Sequence, residues 1–339
     1  MSIRRLLLAV ASIGLSVCLV ILLVRIGHID AHETLRLIEN VSGIAFCKLL
    51  FLDVLLVLIS TKKWRSTDAF LRSPADPVPS RITSFAITSA GMALGLVLPV
   101  QLGMTTARTL GTYFHGRTLK RGMAGTIFEQ GFDVLTISLL AIASGVTRVV
   151  RGGGVVWMLL AATMVGFTLL LAAPLVDLIR RFATYAHILQ SRHSCQGRVG
   201  AVLQSLSAAR NSPVLSTSLA RRLMMLSTIR FVIVVLMAGQ TAAAIGAPIP
   251  LWHLAAAVPF VFVATVIAIT PGGLGVNELT CTTVLSLFGT PLLVAARWSL
   301  ANRILGTAAC IVVTGCAAIT FAIKRYRCVE DVVSSLQRN

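Results

Sequence analysis

Apolar residues in this chain fall in long blocks divided by short polar stretches, and the block lengths predict the elements. Blocks near residues 6–24, 41–60, 123–146, 155–176, 223–246 and 291–322 approach the about 20 apolar residues that a helix needs to cross a hydrocarbon core of about 30 Å. Two further stretches are interrupted. Residues 82–116 are apolar as far as Leu98, break at Pro99 and Gly103, and continue as the polar MTTARTLGTYFHG. Residues 251–289 are apolar up to Thr270, break at Pro271-Gly272-Gly273, and resume through Phe288. Both read as broken hairpins within the membrane, which survive only where protein or a water-filled cavity satisfies the freed backbone groups. The predicted class is therefore all-α: a polytopic integral membrane protein with about six full spanning helices and two Pro/Gly-broken hairpins.

Composition agrees, since 56% of the 339 residues are hydrophobic and 12% charged, against about 25% charged in soluble domains. The long unbroken blocks exclude a β-barrel, whose strands alternate in runs of about ten. Arg4 and Arg5 precede the first block in the manner of a signal peptide, but the run is long and lacks a small-x-small cleavage site, so it is read as an uncleaved first helix. Of the seven cysteines, most lie within apolar blocks and none makes a C-x-x-C pair, so they read as small apolar residues.

Charge sets the expected topology. The net charge is +18, and Lys and Arg of short loops collect on the cytoplasmic side. If each hairpin returns to its own face, that side holds Arg4, Arg5, the Lys62–Arg81 loop, Arg117, Lys120, Arg121, a basic loop over 177–222 and the Lys324–Arg327 end. Both termini are then cytoplasmic, in a cell inner (plasma) membrane. Residues 1–325 form one transmembrane domain, followed by a short cytoplasmic tail over 326–339. The element order helix, helix, broken hairpin, helix occurs over 1–146 and again over 155–322 from the opposite face. Each hairpin carries P-x-x-L-G, as Pro99-Val100-Gln101-Leu102-Gly103 and as Pro271-Gly272-Gly273-Leu274-Gly275. Inverted repeats with paired Gly/Pro breaks point to a midplane binding site. The basic surplus follows from orientation, and no basic-aromatic module supports a nucleic-acid partner.

Only twelve acidic residues are present, which makes their positions informative. Asp53, Glu129, Asp133 and Glu278 fall within membrane segments, as do Lys48, Arg108, Arg230, Arg297 and Arg303, and such residues usually face a partner or a water-filled cavity. Glu129 and Asp133, four apart, share a helix face. Glu278 follows the Pro271 break, near a helix N-terminus that favours its anionic form. Arg303 projects from the last block toward one of these carboxylates. They form either a polar path for a lipid headgroup or coupling proton, or ion pairs that set helix register. Arg230 and Arg297 read as snorkelling residues. His187, His193 and Cys195 lack a fourth metal ligand and read as a solvated loop. No P-loop, H-E-x-x-H or G-x-S-x-G is present, so no catalytic residue, metal or cofactor is expected.

The run Pro271-Gly272-Gly273-Leu274-Gly275-Val276-Asn277-Glu278, followed by Arg303, resembles the signature of the lysylphosphatidylglycerol synthase transmembrane family. Pro99–Gly103 is similar to its first-half counterpart, and Glu129-Gln130-Gly131-Phe132-Asp133 is similar to the family's Glu-Arg-x-x-Asp. The resemblance covers nearly the whole chain. It implies a flippase-like membrane domain without the soluble aminoacyl-transferase domain, with Asn277 among the substrate-contacting residues. The expected partner is an anionic or modified phospholipid, with a lipid-synthesis enzyme as a possible second partner. The sequence departs from the family at Met104, where Glu is usual, at Gln130, where Arg is usual, and at Arg108, one position late.

Two other readings stand beside a lipid flippase: a membrane glycosyltransferase using a lipid-linked donor, and a non-transporting partner of a lipid-synthesis enzyme. The first rests on His28, Asp30, His32, Glu33 and Glu39 in the first outer loop, where carboxylates could act as base or metal ligand. A short polar connector would look the same.

Overall fold

The computed structural model describes residues 3–26, 30–71, 78–115, 119–167, 169–170, 181, 217–267 and 270–337. Among them are no strands. The helices are α1 (Ile3–Ile26), α2 (Ala31–Glu39), α3 (Gly43–Leu71), α4 (Arg81–Val97), α5 (Val100–Tyr113) and α6 (Leu119–Val149). They continue as α7 (Gly154–Phe167), α8 (Thr217–Ala244), α9 (Leu251–Ile267), a 3₁₀ turn (Pro271–Gly273), α10 (Val276–Leu287) and α11 (Leu292–Gln337). Most of the basic loop expected over 177–222, including His187, His193 and Cys195, lies outside the described residues, as does the end of the 155–176 block.

Among the described residues, four stretches are long and apolar enough to cross a membrane: Gly43–Ala69, Gly125–Val149, Thr217–Ala244 and Leu292–Lys324. Shorter apolar stretches occupy α1 (Gly14–Arg25) and α7. The protein is thus an all-α, multi-pass membrane protein. Phe51 and Leu58 of α3 are exposed, whereas Asp53, Val57 and Ser60 are buried. That inversion is expected where the surroundings are lipid.

Because lipid is as apolar as Leu, helix association in a bilayer depends on close packing of small residues and on satisfied polar groups. The main core follows this rule, with Ala255, Ala256 and Ala257 of α9 packed against Leu285 of α10 and Trp298 of α11. Buried hydroxyls mostly return to their own helix: Thr88, Thr126, Thr136, Ser144 and Thr147 each donate to the carbonyl four residues earlier. This satisfies them without an external partner. Between helices, the Trp157 indole donates to Ser144 Oγ at 2.8 Å and the Trp298 indole to the Ala238 carbonyl at 3.2 Å.

Both interrupted stretches fold as antiparallel hairpins. In the first, Gly91 faces Met104, Gly95 faces Gly103 and Gly111 faces Ile87. A Cβ on Gly103 would lie 2.4 Å from the Gly95 nitrogen, so backbone rests on backbone. In the second, Thr265 of α9 donates to Asn277 Oδ1 of α10 at 2.7 Å across the Pro271 turn. Two details add to the sequence reading. The connection between the first two apolar blocks contains α2, capped by Asp30, whose carboxylate accepts from the His32 N–H at 2.8 Å. The tail beyond 325 continues α11 as helix to Gln337.

Candidate functional site

A five-membered ion cluster joins four helices. Lys63 of α3 donates to Asp133 of α6 at 2.5 Å and lies 4.0 Å from Glu129. Arg108 of α5 donates to Glu129 at 2.5 Å, to the Ser60 carbonyl at 3.1 Å, and stacks over Trp64 at 5.4 Å. Arg230 of α8 donates to the other oxygen of Asp133 at 2.6 Å and lies 5.9 Å over the Phe262 ring of α9. Each carboxylate therefore meets at least one cation, the arrangement that makes buried charge tolerable. The helical spacing of Glu129 and Asp133 puts both on the α6 face toward α3 and α5.

A second constellation forms where the two hairpin breaks meet. The Gly272 N–H donates to the Leu98 carbonyl at 3.0 Å, joining the tip of one hairpin to the tip of the other. Arg303 of α11 donates to the Gly272 carbonyl at 2.9 Å, and its Nε lies 3.6 Å from Glu278. Glu278, three residues into α10 after Gly275, takes the Gly275 N–H on its other oxygen at 2.6 Å. That contact satisfies one of the orphan donors at a helix start. Gly272, Gly273 and Gly275 have φ of 57°, 68° and 82°, a region costly for any other residue. At Gly272 a Cβ would also press within 2.6 Å of both Arg303 and the Leu96 carbonyl.

A cavity of about 220 Å³ opens beside this second constellation. One part of its wall is polar, with Asn277, Glu278, Ser299, Asn302 and Arg303; the rest is apolar, including Val234, Val258, Val261 and Phe262. Among the described residues no three His, Cys, Asp or Glu side chains gather as a metal site would require.

A family model described as the lysylphosphatidylglycerol synthase TM region matches residues 8–315, spanning the ion cluster, both hairpins and the cavity. The chain belongs to this family. No curated protein and no solved structure matches it.

The residues at which the chain departs from the lysylphosphatidylglycerol synthase transmembrane pattern have structural roles of their own. Met104 packs its sulfur against Gly91 within the first hairpin, and Gln130 faces the Thr105 hydroxyl at 3.5 Å. Arg108 is held in the ion cluster by Glu129 and the Ser60 carbonyl. The candidate residues thus divide into two groups: Arg108, Glu129 and Asp133 in the cluster, and Asn277, Glu278 and Arg303 on the cavity wall. Pro99, Gly103, Pro271, Gly272, Gly273 and Gly275 form the hairpin turns and their close contacts.

One charged residue was misplaced by the sequence reading, and two others have partners it did not assign. Lys63, assigned to a cytoplasmic loop, is buried inside α3, which continues to Leu71. Arg230 and Arg297, read as snorkelling, are paired with Asp133 and with Glu33 of α2. A signal for Lys63 existed: Asp53, Ser60, Lys63 and Thr67 recur at helical spacing on a single face of α3.

Proposed function

We propose that the protein is a flippase-like lipid handler, carrying the headgroup of an anionic or modified phospholipid through the bilayer by way of the cavity at Glu278 and Arg303. The supporting observation is that cavity's two-sided lining. Its polar wall offers both an acid and a base, and its apolar wall suits the glycerol end of a lipid. At about 220 Å³ it is smaller than the about 300–1,000 Å³ of pockets for drug-sized ligands, so it would take a headgroup and leave acyl chains in the bilayer. Arg303 is positioned to exchange its contact with the Gly272 carbonyl for a phosphate oxygen, which would loosen the joint between the hairpins.

In this reading residues 1–146 and 155–322 act as inverted repeats, and opening alternates between the two sides of the hairpin joint. Both termini are placed in the cytoplasm of a cell inner membrane by the charge bias. The contact between the two tips at Gly272 and Leu98 supports hairpins that enter from opposite faces. The glycosyltransferase reading is less well supported. Its acids are engaged elsewhere, Asp30 as the cap of α2 and Glu33 in the pair with Arg297.

The test is reconstitution in liposomes with labelled anionic and aminoacylated phospholipids, following their accessibility over time for wild type and Glu278→Gln. Gln can still accept the Gly275 N–H, so the variant is expected to fold. Its lipid movement is expected to fall by about tenfold or more, the scale of losing one charged contact. Equal rates for the two proteins would remove Glu278 and this cavity from the mechanism. A loss on neutralising Asp30 and Glu33 instead would favour the enzyme reading.

A further inference from the structure

The polar wall of the cavity lies mainly along one stripe of α11. Trp298, Asn302 and Gly306 recur every four residues, with Ser299 and Arg303 beside them, and all five line the cavity, as residues on one helix face do. Most of the hydrogen-bonding capacity there is already committed. The Trp298 indole donates to the Ala238 carbonyl, the Ser299 hydroxyl to the Glu278 carbonyl, and Arg303 to the Gly272 carbonyl. Glu278 accepts the Gly275 N–H on one oxygen and holds the other 3.6 Å from Arg303 Nε, so the two charges of this wall offset each other.

Asn302 differs from its neighbours. Its carboxamide makes no hydrogen bond or ion pair among the described residues, although it is partly buried within a stretch long and apolar enough to cross a membrane. Asn277 of α10 commits one end of its amide to Thr265 across the hairpin turn, and the other end has no partner among the described residues. Beside a neutral ion pair the cavity thus presents amides with unused donors and acceptors. A polar group withdrawn from water is unfavourable until it is hydrogen-bonded, so this wall favours an occupant that supplies both kinds of partner. Headgroup chemistry separates the candidates. A phosphate diester only accepts and an ammonium only donates, whereas a hydroxyl does both, as a carboxamide does.

We infer that Asn302 is the specificity-determining residue of the cavity and selects a hydroxyl-bearing headgroup, a glycerol or another small polyol, over one that ends in an amine or an alkyl group. The inference rests on the proposed headgroup cavity and adds its substrate class: Arg303 meets the phosphate, and Asn302 with Asn277 reads the hydroxyls. The cavity of about 220 Å³ is about seven times the 30 Å³ share of one water, room for a polyol of that size. A wall built to bond hydroxyls discriminates against the analogue that lacks them, because its own amides are then left unpaired.

Equilibrium binding tests this independently of lipid movement. Trp298 lines the cavity, so tryptophan fluorescence of the detergent-solubilised protein reports occupancy. The probes are dioctanoyl phosphatidylglycerol, phosphatidylethanol and phosphatidylethanolamine. The first two carry the same charge and differ chiefly in the headgroup hydroxyls. Phosphatidylglycerol is expected to bind about tenfold more tightly than either of the others. Asn302→Leu removes no contact within the protein, so it is expected to fold with an unchanged melting temperature. It should reduce the preference to about threefold or less by weakening phosphatidylglycerol while phosphatidylethanol holds, and Asn302→Gln, which keeps the carboxamide, should retain more of the preference. Equal affinity of wild type for phosphatidylglycerol and phosphatidylethanol, or a preference that Asn302→Leu keeps, overturns the inference and leaves the headgroup cavity standing. An equal loss of both lipids in Asn302→Leu marks a structural role and overturns it too, and binding of none of the probes overturns inference and cavity together. The expected preference in a protein that moves no lipid would count against the proposed function alone.

Discussion

At the scale of single residues, tolerance should follow local contact and charge pairing. Gly103→Ala places a methyl group against the Gly95 backbone, with contacts of 2.4 and 2.7 Å, and neither backbone can yield without parting α4 from α5. A loss of about 1–3 kcal/mol is expected, the usual scale of overpacking, read as a lower melting temperature in detergent. Gly306 on the cavity wall has no atom within 4 Å of a Cβ, so Gly306→Ala should leave stability unchanged or raise it by up to about 1 kcal/mol. The ion cluster yields a sharper contrast. Lys63→Met leaves Asp133 with Arg230 and Glu129 with Arg108. Asp133→Asn instead leaves Lys63 and Arg230 facing each other with a single acid nearby. Removing one partner from a buried charge network costs roughly 3–5 kcal/mol, so Asp133→Asn should destabilise by about that much and Lys63→Met by clearly less. Similar melting temperatures for the two variants would refute this pairing scheme.

At the scale of elements, the two hairpins are the parts most legible in the sequence, because Pro and Gly mark a break directly whereas a contact partner leaves no local trace. Pro99 and the Pro271-Gly272-Gly273 run placed both turns. The tip-to-tip bond from Gly272 to Leu98 is a relation between segments far apart in the chain and left no such mark. The inverted arrangement predicts that the open ends of the hairpins lie on opposite faces of the membrane. Single cysteines at Val78, exposed just before α4, and at Ser286, exposed in the last turn of α10, would be introduced after replacing the native cysteines, of which Cys18, Cys47 and Cys316 are exposed. An impermeant maleimide applied to intact cells should label one position, and the other only after lysis. Labelling of both from the same face would rule out the repeat. Helix α2 was harder to read. Its nine residues are too few for a span, and its polar composition matched a connector until Asp30 was seen to cap it and Glu33 to reach Arg297.

At the scale of the molecule, the cavity belongs to no single element, since α3, α8, α9, α10 and α11 all line it. Filling it should therefore separate function from stability. Gly306→Leu projects a side chain into open space at the wall, and is expected to slow lipid movement in liposomes by about fivefold or more while the melting temperature holds, because added apolar volume in a void does not strain the surrounding packing. Unaltered movement would place the lipid path elsewhere. The sequence by itself determined the solvent of this protein, its helical class, its broken hairpins and its family resemblance, because block length, Pro/Gly breaks and motif spacing are all local properties. Only the tertiary structure decided which charges meet. Whether Lys63 ends in a loop or a core, whether Arg230 reaches an interface or an acid, and whether Glu129 and Glu278 share one site or belong to two, depends on how distant helices pack. In a bilayer that packing rests on small-residue contacts and charge pairing between segments, which no single apolar block encodes.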